Sequence, residues 1–376
     1  MTSSSPKDQA IRAICTKHFH QALWLPGTAN HSKLKVTYST TTNFDNVSLP
    51  AILFIGPMFG TRWSSLHFDK LARDCGVRVI CVDRPAFGGS TSVTIDIRMR
   101  VWLETVPALL QRLDVKHVAM MTHSAGAVYT LNTLLHHRSL LDPKAPYVAF
   151  LAPWVPIAHS GATLTTIAAK LPTSLLDSWA GLNTFINTKI VPSASWSGGI
   201  ISSSAALFSS SASTDVPGAE TSTSTTPFEQ YGFDEDTAKL IEKLSSKYQF
   251  AESTAGANEE AKLCLRKCDD ADWGEAADYS SCIRKIAVNE AALGSRKPNA
   301  VKVSVEAFFG GSDIMIVKRG QKYFKQCWQS DEVKGKVDFA TRTFPEANHD
   351  SVHFDQKKGA LRTVFERIVQ LGKDRG

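Results

Sequence analysis

No apolar run in this chain is long enough to cross a bilayer: the longest, Tyr147 to Ala158, falls short of the roughly 20 residues that a spanning helix needs. Met1 to Gln9 is polar and lacks the apolar stretch of a secretory leader, so a cytoplasmic protein is expected. Lysine and arginine form no block, and the net charge of +6 is spread over the whole length. Neither a nucleic acid nor a membrane surface is therefore the expected partner. Cysteine is sparse: seven residues make an odd number, and their spacing fits neither a zinc site nor a dense disulfide framework. Cys264, Cys268 and Cys282 cluster, but they read as buried or idle thiols. No metal or cofactor is expected. What remains is ordinary globular composition, 43% hydrophobic and 21% charged over 376 residues, enough for a sizeable core in one large domain with an insertion or in two domains. The expected partner is a small molecule, and nothing in the sequence fixes an oligomeric state.

The first half alternates strand-like and helix-like segments, the signature of a mostly parallel sheet covered by helices on both faces. Leu34 to Thr41 alternates polar and apolar residues and predicts an early, partly exposed strand. Ala51 to Gly56 and Val77 to Val82 are short and apolar, as buried strands are, and Leu66, Phe68, Leu71 and Ala72 between them have helical spacing. Ile95 to Leu113 predicts an amphipathic helix leading into a strand at His117 to Met121, another helix starts near Ser124, and Tyr147 to Leu151 is the next strand. Alternation stops there and returns with a strand at Val301 to Phe308, a helix around Val317 to Trp328, a strand near Val337 to Phe344 and a last helix at Gly359 to Leu371.

Residues 1–156 and 301–376 therefore form one core, and 157–300 is inserted into it. Within the insertion, Asp234 to Phe250 has helical spacing, and Glu259 to Cys268 and Ala287 to Leu293 suggest further helices, giving a mainly helical cap. Pro192 to Pro227 is dominated by Ser, Thr, Ala and Gly, which bury too little apolar surface to offset their ordering entropy; it reads as a mobile linker.

Chemistry concentrates at Met120-Met121-Thr122-His123-Ser124-Ala125-Gly126-Ala127, where a strand runs through a sharp turn into a helix. A nucleophile on such a turn needs small neighbours two before and two after it, because larger side chains collide when the backbone folds tightly. Gly126 meets that need on one side. The competing explanation is a serine that caps a helix.

This stretch resembles the G-x-S-x-G nucleophile elbow of α/β-hydrolases, with Thr122 in place of the first glycine. Upstream, Gly56-Pro57-Met58-Phe59-Gly60-Thr61 looks like the family's H-G-x-x-G-[S/T] loop, with Gly56 and Pro57 replacing His and Gly. In that register the resemblance implies an oxyanion hole formed by the backbone N–H groups of Met58 and Ala125. Asp83-Arg84-Pro85-Ala86-Phe87-Gly88-Gly89-Ser90 is similar to the family's D-x-P-G-x-G-x-S turn, to which a structural role is assigned.

A serine hydroxyl needs a base, and the base needs a carboxylate to fix its tautomer. Gly310-Gly311-Ser312-Asp313 leaves an apolar strand and matches the family's G-x-x-D turn; Asn348-His349 leaves the final strand and looks like its G-H turn, with Asn348 replacing glycine. The resemblance thus implies Ser124, Asp313 and His349 as nucleophile, acid and base, in the chain order of this fold. Asp350 and Glu346 flank His349 too closely to orient its ring well. Phe59, His123 and Trp154 are candidates for lining a substrate pocket, His123 and Trp154 equally for packing, and His159 belongs to the cap surface or the pocket.

The resemblance covers roughly Pro50 to Pro156 and Val301 to Gly372 and implies an α/β-hydrolase fold with a cap. Serine at the elbow excludes the branches with an aspartate nucleophile, the epoxide hydrolases and haloalkane dehalogenases. What it implies is a serine hydrolase acting on an ester, lactone or related acyl bond of a hydrophobic small molecule, an expectation that the apolar Leu164 to Leu176 supports. The general look is that of a fungal secondary-metabolism enzyme. The rival readings are a lyase, acyl transferase or cyclase on the same scaffold, and a binding protein without turnover.

Overall fold

A computed structural model of the protein describes residues 4–163, 166, 169, 170, 224–266 and 272–373. The chain opens with helix α1 (Pro6–Ile14), which starts where Ser5 caps the N–H of Asp8 and proline occupies the first turn. Strands β1 (Gln21–Leu25), β2 (Leu34–Thr40) and β3 (Ala51–Ile55) lead to α2 (Ser64–Cys75), β4 (Arg78–Val82) and α3 (Arg98–Arg112). Next come β5 (Ala119–His123), α4 (Gly126–His136) and β6 (Tyr147–Leu151). After β6 the described residues form α5 (Ile157–Ser160), α6 (Pro227–Tyr231), α7 (Glu235–Ala251), α8 (Ala255–Leu265) and α9 (Tyr279–Arg296). Strand β7 (Ser304–Gly310), α10 (Lys318–Trp328), β8 (Asp338–Phe344), α11 (Ser351–Phe354) and α12 (Leu361–Lys373) complete the chain.

The eight strands form one sheet in the order β1-β2-β4-β3-β5-β6-β7-β8. Pairings β1–β2 and β2–β4 are antiparallel, and all others are parallel. Helices α3, α4, α9 and α10 bury one face through Met99, Leu109, Val128, Ile283 and Phe324, while α2 and α12 cover the other through Phe68, Leu71, Val364 and Phe365. The central strands β3, β5 and β6 are therefore buried along their whole length, which is why they read as short apolar runs. Their C-terminal ends, with that of β7, converge on one edge of the sheet, where an open parallel sheet offers its crevice.

The sequence did not reveal α1 or β1. It placed β2 correctly but not its exposure: β2 is almost wholly buried. Leu34, Val36 and Tyr38 join the core, and the polar residues of its other face are engaged by protein. Thr37 donates to Asp83 at 2.6 Å, and Ser39 donates to the Arg62 carbonyl at 2.5 Å. Alternation here separates an apolar face from an internally hydrogen-bonded one, not from solvent.

Between β6 and β7 the described residues add helices and no strand to the sheet. Helix α7 packs on α1 through Ala10, Ile14, Ala238 and Ile241, and α9 packs on α4. Helix α9 begins earlier than Ala287, at Tyr279, with Asp278 as its cap. Most of Leu164 to Leu176 and Pro192 to Pro227, and all of Cys268, lie outside the described residues. Cys264 and Cys282 are buried free thiols, and burial pushes both up, Cys282 to about 12. Among the described residues no helix is long and apolar enough to cross a membrane.

Candidate active site

Strand β5 ends at His123, and Ser124 follows with φ of 51°, in the left-handed region that a residue with a side chain adopts at a cost of about 1–3 kcal/mol. Two backbone bonds hold the serine there: its N–H donates to the Leu151 carbonyl at 3.1 Å, and its carbonyl accepts from the Trp154 N–H at 2.9 Å. The turn swings directly into α4. Gly126 is the residue that lets it: a Cβ built there would stand 2.3 Å from the Ile55 carbonyl oxygen, 2.4 Å from Thr122 Oγ1 and 2.7 Å from the Gly56 oxygen. The first small position tolerates threonine because the Thr122 hydroxyl donates to the Ile55 carbonyl at 3.0 Å. The departure from glycine thus becomes a tie between β5 and β3.

Three loops bring the remaining groups to this serine. Asp313 follows β7, and His349 follows β8 ahead of α11. His349 Nε2 lies 2.9 Å from Ser124 Oγ, and His349 Nδ1 lies 2.9 Å from Asp313 Oδ2. The other carboxylate oxygen, Oδ1, accepts the N–H groups of Met315 at 2.8 Å and Ile316 at 2.7 Å. All three side chains are almost wholly buried.

Burial is the largest influence on both partners of His349–Asp313 and opposes charge on each. It is outweighed: the charge and hydrogen bond of Asp313, with the charge of Asp350, raise His349 above its ordinary value. Asp313 is held below the usual carboxylate range by His349 and by its two N–H donors. The carboxylate accepts from Nδ1, leaving Nε2 to accept a proton from the serine.

The loop after β3 runs alongside. Gly60 N–H donates to the Pro57 carbonyl at 2.8 Å, closing the loop, and Gly126 backs onto its Gly56 carbonyl. Neither the Met58 N–H nor the Ala125 N–H has an acceptor among the described residues. Phe59, half-buried, packs against the main core beside them.

His123 points away from Ser124. Its ring is fully buried, its Nε2 pairs with the His349 carbonyl oxygen at 2.9 Å, and it stacks on His353 with centroids 4.6 Å apart. Trp154 is buried too, and its carbonyl accepts from the Tyr279 hydroxyl at 2.8 Å. Both residues are used in packing. His159 is exposed and stacks on Tyr323 at 3.9 Å. Glu346 is far out, paired with Lys358 at 3.4 Å, whereas Asp350 is enclosed beside His349, and burial raises its carboxyl.

Sequence reasoning did not find the buried ion pairs around this edge. Arg62 bridges Asp83, at 2.8 Å, and Glu252; Arg84 forms a bidentate pair with Glu260. Arg84 was visible inside its Pro/Gly-rich turn, but its partner comes from α8, and no spacing links the two.

The profile of the alpha/beta hydrolase family matches residues 52–358. The chain belongs to this family. Its fold is similar to that of a protein assigned as a lipase from Acinetobacter baumannii AYE, at 11% identity, a TM-score of 0.56, and coverage of 100% of this chain and 99% of that one. A carboxylesterase of the thaumarchaeon Nitrososphaera gargenis aligns at 13% identity and a TM-score of 0.50 over 94% and 100% of the two chains. An epoxide hydrolase from Vigna radiata aligns at 14% and 0.51 over 96% and 99%. At such identities these likenesses show the fold alone. No curated protein matches the sequence. Family membership supports hydrolase activity.

Proposed function

We propose that the protein is a serine hydrolase that cleaves an ester, lactone or related acyl bond of a hydrophobic small molecule through an acyl-enzyme. The observation that carries this reading is the continuous line Ser124 Oγ to His349 Nε2, His349 Nδ1 to Asp313 Oδ2, with 2.9 Å at each step. Ser124 attacks the carbonyl carbon as His349 takes its proton, and Asp313 stabilises the imidazolium so formed. The tetrahedral oxyanion is received by the N–H groups of Met58 and Ala125. His349 then gives its proton to the leaving oxygen, the carbonyl re-forms, and the C–O bond breaks. Water, deprotonated by the same imidazole, attacks the acyl-enzyme and releases the acid with Ser124 restored.

In this reading residues 157–300 cap the C-terminal edge of the sheet and shape the pocket. A serine at the elbow distinguishes the chain from hydrolases that attack with a carboxylate. Reaction of an acyl substrate in 18O-labelled water tests the proposal: one labelled oxygen in the released acid, lost in Ser124→Ala, supports it. Unlabelled product, or product from an acceptor alcohol alone, points to transfer or elimination on the same scaffold.

A further inference from the structure

The oxyanion loop is held by a buried arginine whose counter-ion comes from the segment between β6 and β7. Arg84 Nη1 donates to the Gly56 carbonyl at 2.9 Å, and Nη2 donates to the Pro57 carbonyl at 2.5 Å. Pro57 O accepts the Gly60 N–H as well, so two donors fix the plane of the Pro57–Met58 peptide. That peptide is trans, and in a trans peptide the C=O and N–H point in opposite directions. Holding the Pro57 oxygen therefore turns the Met58 N–H away from Arg84.

Arg84 is itself held. Its Nε pairs with Glu260 Oε1, and its Nη2 lies 2.7 Å from Glu260 Oε2. Arg98 Nη2 and the Tyr129 hydroxyl each reach Glu260 Oε1 at 3.2 Å. Arg84, Arg98, Tyr129 and Glu260 are all essentially excluded from solvent. Helix α8, which carries Glu260, is fastened to the same turn: Gly256 N–H donates to the Ala86 carbonyl at 2.9 Å, and Gly88 N–H to the Ser253 carbonyl at 3.0 Å. Two guanidinium groups against one carboxylate leave an excess positive charge in the interior, and because apolar residues of similar volume often replace buried ion pairs without loss of stability, stability alone does not account for the arrangement.

We propose that Arg84 is a positioning residue for the Met58 N–H and that Glu260 sets Arg84, so that α8 completes the oxyanion hole; this rests on the reading of Met58 as an oxyanion donor. A planar fork reaches two adjacent carbonyls and a carboxylate at once, which the point charge of a lysine does not.

The test is the rate constant for reaction of Ser124 with a fluorophosphonate, measured across pH on the full chain. Removing an oxyanion donor costs about a hundred- to a thousandfold, so a misaimed one is expected to cost about ten- to a hundredfold in Arg84→Lys, with the pH midpoint unchanged because His349 and Asp313 are untouched. Glu260→Asp, which keeps both acceptor oxygens and the buried charge but shortens the reach to Arg84, should slow the reaction less and serves if the lysine variant fails to fold. Folded variants that react at the wild-type rate overturn the inference, as does a slowed reaction whose pH midpoint moves. A wild-type protein that is not labelled at Ser124 overturns the serine-hydrolase reading instead.

Discussion

Gly126 stands with its Cα directly against the carbonyl of Ile55, so close that a Cβ on it would lie 2.3 Å from that oxygen. This contact locks the start of α4, next to Ala125, to the end of β3, from which the loop carrying Met58 leaves. Gly126→Ala must push the two elements apart. We expect a stability loss of about 1–3 kcal/mol or more, since the obstacle is backbone and cannot rotate away. Turnover should fall by far more than the fraction of folded protein. Thermal melts beside kinetics on the folded fraction check this; a variant as active and stable as the wild type contradicts it.

The Asp313 carboxylate is the orienting acid in this account. Asp313→Asn should lower turnover on the order of thousands-fold, because an amide in its place favours the wrong imidazole tautomer. Glu346→Gln should change little, as Glu346 is exposed and bound to Lys358. Should Asp313→Asn retain substantial activity that Asp350→Asn then removes, Asp350 would be the acid.

Because the base must be neutral, activity should rise with pH through the pKa of His349. Asp313 raises that pKa above 6.5, so the midpoint should lie on the alkaline side of 6.5 and move down in Asp313→Asn. For stability the sign is opposite: the His349–Asp313 attraction is fully present below the unfolded histidine value and lost as pH rises through the folded one. A pH profile of substrate turnover with a midpoint below 6.5 would count against the pairing.

Behind His349 lies a column of neutral rings: His123 stacks on His353, and His353 on Phe54 at 5.0 Å and 3°. Burial depresses His123 to about 3 and His353 well below its ordinary value, and both His353 ring nitrogens lack a hydrogen-bond partner among the described residues. Between about pH 6.5 and the folded values, the unfolded chain binds protons that the native protein refuses, so stability falls as pH falls. His353→Phe should flatten this acid slope and, by removing two unsatisfied polar atoms, raise stability at neutral pH by about 1–2 kcal/mol. Denaturant titrations at pH 5 and 7 decide; an unchanged slope would show that His353 does not resist protonation.

The central strands β3, β5 and β6 were legible because they are buried on both faces, so Ala51 to Ile55 and Tyr147 to Leu151 appear as uninterrupted apolar runs. Ser124 and Asp313 follow the buried β5 and the largely buried β7, whereas His349 follows the mostly exposed β8; what made all three readable as candidates is that the family's turns repeat at these strand ends. β2 misled because Thr37 and Ser39 are polar for internal partners rather than for water. β1 is an edge strand with Trp24 exposed, so half its pattern carries no core signal. The Arg84–Glu260 pair joins residues far apart in sequence, and a glutamate on an ordinary helix gives no sign that it is buried.

The central claim is that Ser124 is an activated nucleophile, and covalent labelling by a fluorophosphonate tests it most directly, since a serine that merely precedes a helix does not react. Peptide mapping should find the adduct on Ser124 alone. Labelling should vanish in Ser124→Ala, drop steeply in His349→Ala, and rise with pH in the wild type with a midpoint above 6.5. An adduct on another residue, or labelling indifferent to His349, would contradict the account.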